Sequence, residues 1–147
     1  MRFVRVVNES RRTVLGARIR IADTWLARLR GFLFRPEPAV GEGLFLAPCR
    51  GVHMYGMRFA LDVLMIDAAG MVVATHAKLT PGGRTPVYRH ARYALELPHG
   101  AIAATATAIG DQLSWVPATA ASTNGAGVPL HTLRRMAAEA ARTGEHA

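Results

Sequence analysis

Residues 3–7 and 13–21 alternate apolar with polar positions on either side of Asn8-Glu9-Ser10-Arg11-Arg12, a pattern that predicts two strands joined by a polar turn. In Ala17-Arg18-Ile19-Arg20-Ile21 the period of two places Arg18 and Arg20 on the wet face of a half-buried strand. The period then lengthens. Trp25, Leu26, Leu29, Phe32 and Leu33 recur at helical spacing, with Arg28 and Arg30 on the far side. Asp23 stands where an N-cap carboxylate can accept from a free N–H of the first turn, and Gly31 permits the helix to end. The expectation is one short helix near residues 23–31 with its apolar side packed on the core.

A loop with several Pro and Gly residues, Arg35 to Gly43, separates this helix from short apolar segments at 44–47, 61–66, 71–77, 93–97 and 112–116. Asp67-Ala68-Ala69-Gly70 reads as a hairpin turn, with the glycine free to take a positive φ. Many short strands with Gly/Pro turns predict a mainly β fold, a compact β-sandwich or partly open β-barrel. The expected domain spans residues 1–116. Residues 117–129, rich in Ala, Ser, Thr and Gly, read as a linker. Leu133, Met136, Ala137 and Ala140 at helical spacing predict a C-terminal helix in the tail, residues 130–147.

Composition sets limits. The chain's 147 residues make one domain, and a hydrophobic share of 50% excludes a disordered chain. A single cysteine excludes an internal disulfide framework and any zinc site built mainly of cysteine. The net charge of +8 suggests acidic partners, nucleic acid or anionic membrane. Yet every basic residue except Lys78 is an arginine, the arginines are dispersed, and no basic block interleaves with stacking aromatics. Nucleic-acid binding is therefore possible but the weaker alternative. No apolar run approaches the roughly 20 residues of a membrane span. Arginines also interrupt the apolar positions of residues 1–7, so no export signal is expected and the chain reads as cytoplasmic.

The densest chemistry lies in residues 48–62, which hold Cys49, His53, Tyr55, Arg58 and Asp62. Asp62 opens the most apolar segment, so its carboxylate is expected to be drawn partly inside, either as a structural hydrogen-bond acceptor or as a base beside His53. Cys49 is a candidate reactive thiol, with Arg50 favouring the thiolate and His53 as base; the alternative is a small buried hydrophobe. His53 with Asp62, or His99 with Glu96, are pairs that would have to meet in space. The spacing of the six histidines supports no metal site, and the glycines form no phosphate-cradling motif, so no cofactor is expected. Alternation in Tyr93-Ala94-Leu95-Glu96-Leu97 sets Glu96 apart from the apolar face, on a solvated edge. Should that face line a cleft instead, Glu96 and Asp62 would form a carboxylate pair able to hold a cation, an amine or a sugar.

Arg30-Gly31-Phe32-Leu33-Phe34-Arg35, Gly43-Leu44-Phe45 and Leu61-Asp62-Val63-Leu64-Met65-Ile66-Asp67-Ala68-Ala69-Gly70 follow one another in a familiar order. Tyr93-Ala94-Leu95-Glu96-Leu97-Pro98-His99-Gly100 and Ile109-Gly110-Asp111 continue it. Over about residues 12–116 the chain resembles the bacterial and archaeal domain-of-unknown-function 192 family. The resemblance implies a compact mostly-β domain with a short helix before the central strands, and no established activity. Where many members carry a Trp-Met-Lys-Asn-Thr segment, this chain has Val52-His53-Met54-Tyr55-Gly56, so a site inferred from that lysine and asparagine does not transfer.

The sequence thus favours a non-catalytic binding or accessory protein for a small ligand or protein partner. Its candidate ligand face comprises His53, Tyr55, Arg58, Asp62 and Glu96. The alternative is a small enzyme using Asp62 and His53 as acid and base.

Overall fold

The computed structural model describes residues 2–118; the expected C-terminal helix and nearly all of the expected linker lie outside them. Seven strands and two short helices follow in the order β1 (Phe3–Asn8), β2 (Thr13–Ala22), α1 (Trp25–Arg30), β3 (Glu42–Leu46), β4 (Leu61–Asp67), β5 (Val72–Leu79), β6 (Ala91–Pro98), α2 (Ala101–Thr105) and β7 (Leu113–Pro117). Each strand lies where alternation or an apolar run predicts one. Helix α2 has no counterpart in the sequence pattern, because five residues carry too little periodicity to register.

All seven strands belong to one sheet, ordered β5-β4-β6-β3-β2-β1-β7. Among the described strands only the β2–β3 pairing is parallel. The sheet curls until its two edges touch at one end: Met71 and Gln112 form an antiparallel bridge, and Leu113 N–H donates to Gly70 O at 2.8 Å. The architecture is therefore the partly open barrel of the two expected alternatives. The β4–β5 turn makes this closure possible. Gly70 takes φ +86°, and a Cβ there would meet Leu113 O at 2.8 Å, so glycine serves both the turn and the close approach.

Directly opposed residues of paired strands point to the same face, which sorts the core into two clusters. Val6, Ile19, Phe45, Leu64, Leu95 and Leu97 are among those filling the barrel. On the outer face, Leu44, Leu46, Leu61, Val63, Met65 and Ala94 pack against Phe32, Val52 and Met54 from the connecting segments. Strand β4 is covered on both sides, so Leu61 to Ile66 are all buried. That accounts for an apolar run where a half-exposed strand would alternate.

Helix α1 departs from its expected role. Thr24, not Asp23, is the N-cap, its hydroxyl accepting from Ala27 N–H at 3.1 Å. Asp23 instead pairs with Arg2. None of the helix's residues is buried. Arg28 turns toward the protein, donating to Asp23 O at 2.9 Å and Ala47 O at 3.3 Å. The Trp25, Leu26 and Leu29 side chains are consequently left exposed, and of the expected apolar stripe only Phe32 reaches the core. Gly31 does end the helix, at φ +48°. Among the described residues no helix is long and apolar enough to cross a membrane.

The start and end of the domain are joined by a polar knot. Asp111 accepts from Asn8 Nδ2 at 3.0 Å, Arg11 Nε at 3.1 Å and Ala108 N–H at 2.9 Å. The Asn8 hydrogen bond, followed by the Ala108 and Arg11 contacts, holds the Asp111 carboxyl below its ordinary value against the opposing effect of burial. A depressed carboxyl contributes stability that is present above its unfolded value and is lost as pH falls through the folded one. Asp111→Ala is therefore expected to cost about 2 kcal/mol in urea melts at pH 7 and distinctly less at pH 3. An equal cost at both values would show that the carboxylate charge contributes nothing.

Candidate functional site

The two carboxylates singled out from sequence sit on opposite faces of the sheet. Asp62 is opposed by Leu97, which faces the barrel interior, whereas Glu96 is opposed by Val63 and Leu44, which face outward. They do not share a cleft. Each nonetheless has a defined environment, and the two environments differ.

Asp62 is 1% exposed and accepts four hydrogen bonds. Oδ1 takes Lys78 N–H at 2.9 Å and lies 3.2 Å from His99 Nδ1; Oδ2 takes Gly100 N–H at 3.1 Å and Ile102 N–H at 2.9 Å. The carboxylate thus caps the unpaired N–H groups at the start of α2 and holds β5 beside it. Every donor is part of the fold, as the structural expectation for Asp62 requires. His99, rather than His53, is its histidine partner.

Glu96 is not at a solvated edge. Strand β6 lies between β4 and β3, and its outer face here is roofed by α1 and the segment that follows β3. The side chain is 5% exposed, and Oε2 has no hydrogen-bond partner among the described residues. Burial pushes the Glu96 carboxyl up to about 7. Gly31 stands close by: a Cβ at that position would lie 3.8 Å from Oε2.

The carboxylate lines a cavity of about 400 Å³, within the range of small-molecule pockets. Its walls include Trp25, Leu29, Phe32, Val52, Met54 and Met57. Trp25 and Leu29, left outside by the rotation of α1, are 70% and 61% exposed. His53 and Tyr55 also border it, their rings stacked at 5.1 Å and 28°. Of the expected ligand face, then, His53, Tyr55 and Glu96 come together. Arg58 lines a neighbouring cavity, and Asp62 lies behind the sheet. No sequence signal marks Trp25 and Leu29 as pocket residues, because their spacing predicts a core-facing helix.

Cys49 shares the Glu96 cavity. Its Sγ donates to Gly51 O at 3.2 Å. Burial above all, with the nearby Glu96 carboxylate adding to it, pushes the thiol up, and the opposing cation is Arg28 rather than Arg50. The environment favours the thiol over the thiolate, which opposes a nucleophilic role. Among the described residues no group of three or more His, Cys, Asp or Glu side chains could hold a metal ion.

A curled single sheet carrying a pocket on its outer face defines the class of protein. The family model of DUF192, described as Uncharacterized ACR, matches residues 6–115, and the chain belongs to that family. It is similar to a UPF0127 protein of Thermococcus sibiricus, 29% identical over 116 residues, covering 75% of this chain and 73% of the relative. A UPF0127 protein of Pyrococcus furiosus is 32% identical over 102 residues, or 66% of this chain and 85% of the relative. Two solved structures share the fold. A protein of unknown function from Novosphingobium aromaticivorans has a TM-score of 0.67 at 24% identity, covering 77% of this chain and 84% of the other. A putative transcription regulator from Sinorhizobium meliloti has a TM-score of 0.65 at 22% identity, covering 78% and 92%.

Proposed function

We propose that this chain is a non-catalytic binding protein for a small organic ammonium ion, received in the cavity between α1 and the 48–57 segment. The observation that carries this is Glu96 Oε2, buried at the cavity wall without a hydrogen-bond partner among the described residues. An unpaired carboxylate out of water is costly, and a ligand that donates to it removes that cost on binding. The walls supplied by Trp25, Leu29 and the His53–Tyr55 stack suit an apolar body attached to the cationic head. A bare metal ion fits poorly, since it requires several oxygen or nitrogen ligands and, among the described residues, Glu96 alone faces this space as a carboxylate.

The charged and titratable groups around the cavity are Arg28 and Arg30 from α1 and Cys49, Arg50, His53 and Tyr55 from the following segment. An ammonium ion binds the ionised Glu96, so affinity rises with pH until that carboxyl is fully ionised. With the carboxyl at about 7, phenethylammonium is expected to bind about tenfold more tightly at pH 8 than at pH 6. Isothermal titration calorimetry measures this directly. His53→Gln should keep the pH slope and Glu96→Gln should abolish it. Failure of phenethylammonium and of short alkylammonium ions to bind at pH 8, or binding unchanged in Glu96→Gln, overturns the proposal.

A further inference from the structure

The cavity that holds Glu96 is lined by three arginines, Arg28, Arg30 and Arg50, against a single carboxylate among the described residues. Arg28 is committed to the fold, its Nη1 donating to Asp23 O and Ala47 O. Arg30 and Arg50 are not. Both are exposed, and neither has an ion-pair partner among the described residues, where the pairs formed are Arg2–Asp23, Arg11–Asp111 and His99–Asp62. They come from the two sides of the cavity, Arg30 from the last turn of α1 and Arg50 from the segment that follows β3. Gly31, next after Arg30, would place a Cβ 3.8 Å from Glu96 Oε2, and Cys49, just before Arg50, lines the same space. The cavity thus combines a buried, unpartnered carboxylate oxygen with two unpaired, solvent-exposed cations at its border. A ligand carrying only an ammonium group gains Glu96 but enters a field that repels it. A carboxylate on the same molecule turns that repulsion into attraction.

We propose that the ammonium ligand of this cavity is a zwitterion, a free amino acid with an apolar side chain, whose ammonium group meets Glu96 Oε2 and whose carboxylate lies between Arg30 and Arg50. The assignment rests on the ammonium reading and adds an anionic group to it. Guanidinium forks match a carboxylate in shape, and their charge-assisted hydrogen bonds are the strong ones. Trp25, Leu29, Phe32 and Met54 offer an apolar wall to the side chain. A cavity of about 400 Å³ is near the small end of ligand sites, which suits a single amino acid better than a longer peptide.

The test is calorimetry at pH 8 and low ionic strength. The probes are L-phenylalanine and L-leucine, the amines phenethylammonium and 3-methylbutylammonium that lack the carboxylate, and N-acetyl-L-phenylalanine, which lacks the ammonium group. At least one amino acid is expected to bind with 1:1 stoichiometry and at least tenfold more tightly than its amine or than N-acetyl-L-phenylalanine. The double variant Arg30→Gln, Arg50→Gln should weaken that amino acid at least tenfold, while the amine, relieved of repulsion, binds no less tightly than before. Both positions are exposed, and circular dichroism verifies that the variant folds. Arg5→Gln on β1, outside the cavity lining, should change neither affinity. Glu96→Gln should abolish binding of the amino acid. Amines that bind through Glu96 as tightly as their amino acids, or amino-acid affinity unchanged in the double variant, overturn the zwitterion and leave the ammonium reading standing. Amino-acid binding that survives Glu96→Gln overturns both, as does failure of every probe to bind.

Discussion

Glu96→Gln is expected to make the folded protein more stable at pH 8, by about 2–3 kcal/mol. The sign follows from burial. The folded carboxyl titrates at about 7, against an ordinary value of 4.5. A raised pKa means that stability is fully present below the ordinary value and declines as pH rises through the folded one. Each unit of displacement is worth about 1.4 kcal/mol, which gives an upper limit near 3.5 kcal/mol well above pH 7. The glutamine amide must still find partners inside the protein, and that reduces the gain. Urea melts across pH 4–8 should therefore show wild type losing stability from about pH 4.5 to 7 while the variant stays nearly level. At pH 4 the two should agree. A variant no more stable than wild type at pH 8 would mean that water reaches the carboxylate. A residue whose neutral replacement stabilises the protein suggests a binding site, where stability is commonly exchanged for function.

Asp62→Ala is expected to act in the opposite direction and more strongly, lowering stability by about 3–5 kcal/mol. The substitution leaves Lys78, Gly100 and Ile102 N–H without their acceptor. Each buried donor so stranded costs about 1–3 kcal/mol, discounted where the altered chain lets water in. Asp62→Asn keeps one acceptor oxygen and should fall between alanine and wild type. His99→Ala should cost under about 1 kcal/mol, because its ring is half exposed and the three backbone donors remain paired. Denaturant unfolding of the three variants gives the ranking. A loss below about 1 kcal/mol in Asp62→Ala would remove its role as the anchor of α2.

The sequence pattern placed the strands well because each is bounded by a turn signal and either alternates or runs apolar between them. It placed the functional side chains less well, for reasons visible at particular residues. Alternation correctly separates Glu96 from Leu95 and Leu97, but it cannot tell whether the second face is wet or roofed by residues some 40–70 positions earlier. In α1, six residues define an apolar stripe too short to decide its own orientation, and two hydrogen bonds from Arg28 to carbonyls turn it the other way. Spacing leaves open which histidine meets which carboxylate, because partner choice depends on strand register. Asp62 faces inward with His99, while His53 and Glu96 border the outer pocket. Residues 30–35 and 93–100 carried the family resemblance, and the match over residues 6–115 establishes it.

The order of strands in the sheet also bears on how the chain is made. Strand β1, the first of the described strands to be synthesised, pairs with β2 at once, but its other neighbour is β7, the last of them. A nascent chain grown as far as β6 can align six strands and still present the outer edge of β1. It also lacks Leu113 from the barrel core and Asp111 from the knot at Asn8. At ordinary elongation rates of about 5–20 residues per second, that edge stays open for about a second or more while α2 and β7 are made. Closure of the barrel is then a late event of translation, and the first strand waits for the last.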